Sequence, residues 1–501
     1  MRYFFVLGRT PDLSVLEILN IAKRLRIDFI NVSLVSRSVL LVNAEKEIDI
    51  KKIMKELGGV IKAGRIVDIQ QIKADLIADF LEKNINKEKK FYFGFSVYGQ
   101  HLNKKTFKHK NRPSTEFGPG KLKNLGLEIK KLLKKRGVKS RFVISREDTL
   151  SSVIVKTNKL VSDQGKEIVF VYDMIHDAYN MKHITDGDIL VGETLAVQEF
   201  ESFSWRDYGR PRRDMKIGML PPKLARMMIN VSGVDNDKVI LDPFCGGGTV
   251  LQELLLLGYK NIIGSDISKE MIEDTKANLK WLRAKYNYKN IFIKEVESHQ
   301  GRVMSHKDDA SHEGRVKSHE DETDPHSSSL MTNDYKLYNE DVTKLSNVLP
   351  KNSIDAIVTE PHMGPVLTGR ESKEKLAYIM EDLSKLYIRA FLEFKKILKN
   401  NGIVVMVWPV FNAITKVPFD SPQPCSGRVT QGRQNTTKTQ FAKDNKFTRI
   451  DILDEIKKMG FKSVLGADTA GLVNISGRDS VLYMRDEQRI GREVHKFRVS
   501  R

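Results

Sequence analysis

The apolar positions of the first 70 residues switch repeatedly between strand and helix spacing. Residues 3–7 read as a strand, and 13–25 carry Leu16, Ile18, Leu19 and Ala22 at helical spacing behind Asp12, a candidate N-cap. Two strand-like runs, 29–34 and 39–43, precede a helix over 50–57 that stops at Gly58-Gly59, and 60–67 reads as a last strand. The order β-α-β-β-α-β predicts a ferredoxin-like α+β unit over residues 1–70.

Residues 71–172 predict a second unit. Phe91, Phe93, Phe95 and Val97 alternate within a strand at 90–98, and a helix over 121–135 ends near Gly137. Three strands fit 141–145, 152–157 and 167–172. Residues 173–215 read as a linker. From 216 to 501 the pattern becomes a regular α/β alternation: helix 222–230, strand 239–241, helix 249–257, strand 262–265, helix 269–286, strand 356–359, helix 383–398, strand 403–408, helix 452–459. Such alternation predicts a doubly wound, mostly parallel sheet, with 481–484 and 494–497 as an antiparallel edge. Two polar insertions interrupt it, at 296–333 and 419–447. In the first, residues 298–303 recur as 311–316, and His299, His306, His312, His319 and His326 invite a metal reading. A polar repeat with no apolar framework cannot hold ligand geometry, so no metal is expected.

Charge narrows the partner. The chain of 501 residues has 84 Lys and Arg against 64 Asp and Glu, a net charge of +20. That excess favours polyanions, nucleic acid first and an anionic membrane surface second. It concentrates in the second unit, at Lys104, Lys105, Lys108, Lys110 and Arg112, and again at Lys130, Lys131, Lys134 and Lys135. A solvated helix face accounts for the latter four alone, but the scarcity of acids around them favours a phosphate-tracking surface. Cys245 and Cys425 fit neither a disulfide framework nor a zinc site. With no secretory leader pattern and no apolar run of membrane length, the expectation is a cytoplasmic protein with no membrane association.

The chemistry concentrates in a few tracts. Residues 239–250 run from a buried strand through Asp242-Pro243-Phe244-Cys245-Gly246-Gly247-Gly248 into a helix at Thr249. The tract lacks the Gly-Lys-Ser/Thr of a phosphate loop and opens with an acid, which suits a cationic sulfonium or an amine better than phosphate. Asp266 ends the next strand, about 20 residues on, where a carboxylate can accept both hydroxyls of a ribose; a helix N-cap at Asp266 or Ser268 is the plainer reading. Asp341 stands where a third strand should end, as an acceptor for an adenine amine or as an N-cap. After the fourth strand comes Glu360-Pro361-His362-Met363.

That last tract resembles the fourth motif of the amino-methyltransferases, Asp/Asn-Pro-Pro-Tyr/Phe. Here Glu360 replaces the acid or amide, His362 the second proline and Met363 the aromatic. The whole chain is similar to the tRNA guanine-N2-methyltransferases of guanosine-10 type that carry an N-terminal THUMP domain. The likeness is carried by residues 207–211, 218–226, 242–249 and 486–493. The resemblance implies a Rossmann-like class I methyltransferase domain behind a ferredoxin-like and THUMP RNA-binding region. It implies S-adenosyl-L-methionine as cofactor, held by Pro221, Lys223, Asp242, Pro243, Cys245, Gly246, Gly248, Thr249, Asp266, Ile267 and Asp341. The target base would meet Glu360, Pro361 and His362. The implied partner is tRNA, for a chain acting alone or with a small accessory subunit. Two alternatives stand beside it: an amino-methyltransferase of rRNA guanine or DNA adenine, and a non-catalytic RNA-binding protein that keeps the fold.

Overall fold

The computed structural model describes residues 1–83, 85–99, 119–172, 189–213, 219–286, 291–295, 333–368, 371–412, 447–467, 469, 471–485 and 488–500. The chain opens with β1 (Arg2–Leu7), α1 (Pro11–Arg24), β2 (Phe29–Ser36), β3 (Val39–Ala44), α2 (Ile50–Glu56) and β4 (Val60–Ile66). These strands lie in the order β2-β3-β1-β4, every pair antiparallel. This is the ferredoxin-like arrangement that the periodicity predicts. β1 is apolar on both faces because both are covered. Tyr3, Phe5 and Leu7 join α1 and α2 in one core, while Phe4 and Val6 pack with Val169 and Val171 in another.

Next come α3 (Ala74–Glu82), β5 (Phe91–Tyr98), α4 (Pro119–Lys135), β6 (Ser140–Val143), α5 (Ser152–Thr157), β7 (Val161–Ser162), β8 (Gly165–Tyr172) and β9 (Ile189–Val197). They extend the same sheet to nine strands, β2-β3-β1-β4-β9-β8-β5-β6, with β7 on β8. Two expectations change here. Residues 152–157 form a helix, not a strand. Val153, Ile154 and Val155 have strand-like side chains, but the Ser151 hydroxyl caps the first turn by accepting from Ile154 N. The expected linker at 173–215 supplies, in its described part, β9 and then α6 (Phe200–Tyr208). β9 pairs with β4 on one side and β8 on the other, so it joins the first two units into one sheet.

The remaining elements are α7 (Pro222–Ser232), β10 (Val239–Asp242), α8 (Thr249–Leu256), β11 (Asn261–Asp266), α9 (Lys269–Tyr286), β12 (Ile291–Glu295), β13 (Asn333–Asn339), β14 (Ile354–Thr359), α10 (Lys373–Ile397), β15 (Leu398–Asn412), β16 (Phe447–Arg449), α11 (Leu453–Lys458), β17 (Phe461–Ser463), β18 (Ser480–Tyr483) and β19 (Ile490–Val499). The second sheet runs β12-β13-β11-β10-β14-β15-β19-β17, with β16 on β15 and β18 on β19. Its strands are parallel from β12 to β15, and β19 is antiparallel to both neighbours. With β12 set aside, this is the doubly wound order that the resemblance implies, a Rossmann-like sheet. The antiparallel strand is not the edge expected, because β17 lies outside it. α10 begins ten residues earlier than its apolar spacing predicts, where the Ser372 hydroxyl accepts from Lys375 N.

The two sheets share a core. Leu13, Leu16 and Ile21 of α1 pack with Leu224, Met227 and Met228 of α7. Buried polar groups fix the join. The Glu17 carboxylate accepts from Gly58 N at 2.7 Å, Gly59 N at 2.8 Å and Asn230 Nδ2 at 2.8 Å. Glu253 on α8 takes Arg206 of α6 at 2.5 Å and Arg226 of α7 at 2.7 Å, and Arg226 also donates to Lys55 O. A buried charge needs this degree of pairing to be tolerated.

Candidate active site

Strand order reverses between β10 and β14, and in a doubly wound sheet ligands settle beyond the strand carboxyl ends at that point. Asp242 ends β10, Asp266 ends β11 and Glu360 follows β14. All three line one cavity of about 460 Å³. Of the residues expected to hold a cofactor, Asp242, Pro243, Cys245, Gly246, Thr249, Asp266, Ile267 and Asp341 line it as well. So do Glu360, Pro361 and His362.

Backbone hydrogen bonds shape the glycine turn. Asp266 Oδ2 accepts from Gly246 N and Oδ1 from Ser268 N, both at 2.9 Å. The Ser268 hydroxyl takes Met271 N. Ser268 therefore caps α9, and Asp266 stays at the cavity with a free lone pair on each oxygen. Gly246 (φ +48°) and Gly248 (φ +79°) adopt the left-handed region that other residues resist. A Cβ on Gly246 would meet no atom within 4 Å, so bare backbone borders the cavity there, whereas one on Gly248 would press on Thr275. Gly248 caps α8 behind the cavity and does not line it. Asp341 lines the cavity, and it accepts from Thr343 N at the start of a short 3-10 helix, the N-cap of its plainer reading.

Electrostatics differ sharply across the cavity. Asp242 is buried and accepts from Thr359 Oγ1 at 2.6 Å; burial pushes its carboxyl up to about 7, helped by the charges of Asp266 and Glu360. Burial also pushes the Cys245 thiol up. Glu360 is held by Arg492 of β19, with Nε 2.5 Å from Oε1, and Arg492 Nη2 donates to Met219 O. The His362 ring is exposed at the rim, while its carbonyl accepts from the Tyr387 hydroxyl at 2.7 Å. Ile267 lines the cavity although it is 71% exposed, an apolar lip for a flat ring.

Pro221 and Lys223 fall elsewhere. Pro221 caps α7, and both line a neighbouring cavity of about 370 Å³ with Gly58, Gly59 and Tyr208. The Lys223 ammonium donates to Gln198 Oε1 at 2.5 Å. In their place Arg210, Met219 and Leu220 reach the cofactor-sized cavity, with Met271, Val342, Met363 and Leu386. None of these was expected as a site residue, although Arg210 lies inside the tract that carries the family likeness.

The expected basic surface is described in part. Lys130, Lys131, Lys134 and Lys135 are exposed on α4, whose opposite face is buried through Ile129 and Leu133. Among the described residues none of the four has an ion-pair partner, whereas Arg136 beside them is held by Asp79 and Glu82. Lys104, Lys105, Lys108, Lys110 and Arg112 lie outside the described residues, as do Cys425 and the five histidines of the insertion. Among the described residues no group of His, Cys, Asp and Glu could hold a metal ion, and no helix is long and apolar enough to cross a membrane.

Comparison with known proteins bears on this cavity. Residues 210–297 match the family model described as UPF0020: RMKL-like, methyltransferase domain. The chain is 49% identical over 134 residues to a tRNA (guanine(10)-N2)-dimethyltransferase of Methanothermobacter thermautotrophicus, covering 26% of this chain and 36% of that one. It is 24% identical over 290 residues to the protein of the same name from Methanocaldococcus jannaschii, covering 57% and 62%. The chain thus spans less than two thirds of the length of these curated relatives. It aligns over the full length of both chains with the crystal structure of TrmN from Thermus thermophilus, at 10% identity and a TM-score of 0.45; the fold assignment above rests on the sheet order, not on that likeness.

Proposed function

We propose that this chain, whose residues 210–297 match the family model of the RMKL-like methyltransferase domain, transfers a methyl group from S-adenosylmethionine to the exocyclic N2 amine of a guanosine in tRNA. Guanosine 10, named for the curated relatives, is the position we assign. The observation that carries the reading is a single cavity. It joins a carboxylate-lined glycine turn with the Glu360-Pro361-His362 tract.

The residues fit such a donor. Asp242, Asp266, Asp341 and Glu360 line the space, which suits a cation better than a phosphate. Asp266 keeps acceptor capacity for two ribose hydroxyls, and the open backbone at Gly246 admits close approach. When bound, S-adenosylmethionine supplies an electrophilic methyl carbon on a positively charged sulfur. Glu360 and the Pro361 carbonyl would accept the hydrogens of the target amine and orient its lone pair, and the proton that the amine sheds on becoming methylated would pass to solvent. This is catalysis by positioning and charge. Arg492 fixes the carboxylate for that task. The exposed His362 ring offers a stacking face to a base swung out of its helix.

The N-terminal sheet, with the α4 lysines and the basic tract before them, would grip the RNA in the role of the expected THUMP region. Cys245 is a buried free thiol, in keeping with the reducing cytoplasm in which we place the reaction. Incubation with labelled S-adenosylmethionine and unmodified tRNA, followed by nucleoside mass spectrometry, should yield N2-methylated guanosine. Label on adenine, or on no nucleic acid at all, overturns the proposal.

A further inference from the structure

Among the described residues the buried Lys and Arg side chains have carboxylate partners, except at the cavity wall. Lys62 has Glu167, and Arg206 and Arg226 share Glu253. Arg210 is 3% exposed and lines the cavity, yet no carboxylate among the described residues lies within ion-pair distance. Its Nη1 donates to Thr249 Oγ1 at 2.6 Å, and its Nη2 rests on the Met219 thioether, a weak acceptor. Its Nε is buried with no partner. Burial pushes the guanidinium down to about 10; Asp207 and Glu253 oppose this only from a distance, and Arg213 adds to it.

An unanswered guanidinium in the interior is costly unless something else completes it. An anion would complete it, but a phosphate or a dianion would face Asp266 and Asp341, and Asp242 beside them, across the same cavity, where only Glu360 has its own cation in Arg492. A zwitterion resolves the conflict. Its anionic end can take Arg210 while its cationic groups face the acids. We propose that Arg210 binds the α-carboxylate of the donor's methionine moiety, with the Thr249 hydroxyl holding the guanidinium in place. The inference rests on the methyl-donor reading of the cavity. A guanidinium meets a carboxylate through paired N–H bonds, which a lysine cannot copy. Lys223, the cation that the family likeness suggests for this region, is engaged with Gln198 on the other cavity.

Calorimetry with two ligands tests it: S-adenosylhomocysteine, and 5′-methylthioadenosine, which lacks the amino-acid end. Arg210→Met should weaken S-adenosylhomocysteine by roughly 10- to 100-fold, the range for a hydrogen-bonded charge, and leave 5′-methylthioadenosine unchanged. Arg210→Lys should fall between. The apoprotein of Arg210→Met should melt no lower than wild type, because an unpaired buried charge has been removed. Equal losses for both ligands, or a melting point several degrees lower, would assign Arg210 to packing and overturn the inference. So would unchanged S-adenosylhomocysteine affinity. If wild-type protein binds neither ligand, the donor reading itself fails, a result distinct from any of these.

Discussion

The two sheets handle charge in opposite ways. In the N-terminal sheet the buried lysine is matched. Lys62 meets Glu167, which also accepts from Ser96 and Thr194, while unmatched lysines stand in solvent on α4. In the C-terminal sheet the unmatched groups are inside, gathered where the parallel strands end: Asp242, Asp266 and Asp341 with Arg210. The N-terminal sheet is antiparallel from β2 to β8 and parallel only where β5 lies between β8 and β6, and strands of alternating direction give side chains no common end at which to meet. Parallel strands all end on one side, and a reversal of order opens a crevice there. An RNA grip can be spread over many replaceable cations, whereas a small cationic donor needs a few carboxylates that nothing else can replace.

The largest expected effect is therefore a single substitution in the second sheet. Asp266→Ala removes both ribose acceptors and should weaken S-adenosylhomocysteine about 100-fold or more, while tRNA affinity in a filter-binding assay stays unchanged. Asp266→Asn, which keeps one acceptor oxygen, should fall between. Unchanged cofactor affinity by calorimetry would remove Asp266 from the site and the contrast with it. The first sheet should need several changes for less. Replacing Lys130, Lys131, Lys134 and Lys135 together by Gln should lower the slope of log affinity against log salt by roughly 3, for four phosphate contacts. Cofactor affinity should not move. An unaltered slope would return those lysines to a merely solvated face.

How much of this was readable in the chain depends on how local each signal is. The turn from Asp242 to Thr249 and the acid at Asp266 are legible because strand, glycines and carboxylate are adjacent in sequence. The ferredoxin-like unit is legible because its helices and strands have different periods. β9 was hidden because its apolar run follows a stretch with no periodic pattern, and only its pairing with β4 and β8 reveals its role. Residues 152–157 mislead because β-branched side chains favour strand spacing while a serine cap favours helix. The pairing of Glu360 with Arg492 crosses 132 positions and leaves no local trace. Arg210 was in plain view inside a recognised tract; its role depends on being buried without a partner, which sequence does not record.

The smallest expected effect separates two carboxyls that burial affects alike. Glu17 and Asp242 are both pushed up to about 7, chiefly by desolvation, but Glu17 sits at the join between the sheets and Asp242 at the cavity. Each has a folded pKa above its unfolded value, so each contributes stability that is full below about pH 4 and is lost as pH rises toward 7. Asp242→Asn, whose amide oxygen can keep the bonds from Thr359 and Phe244, and Glu17→Gln, which gives up the bond from Gly59 N and so starts from a lower melting temperature, should therefore both flatten the fall in melting temperature between about pH 4 and pH 7. Only Asp242 should couple to the ligand. A cation beside it favours the ionised form, so wild-type affinity for S-adenosylmethionine should rise several-fold as pH passes through about 7, with proton release on binding near that pH. Asp242→Asn should abolish both effects and Glu17→Gln neither. If Glu17→Gln removes the proton release, the titration belongs to the join between the sheets, and Asp242 does not feel the ligand's charge.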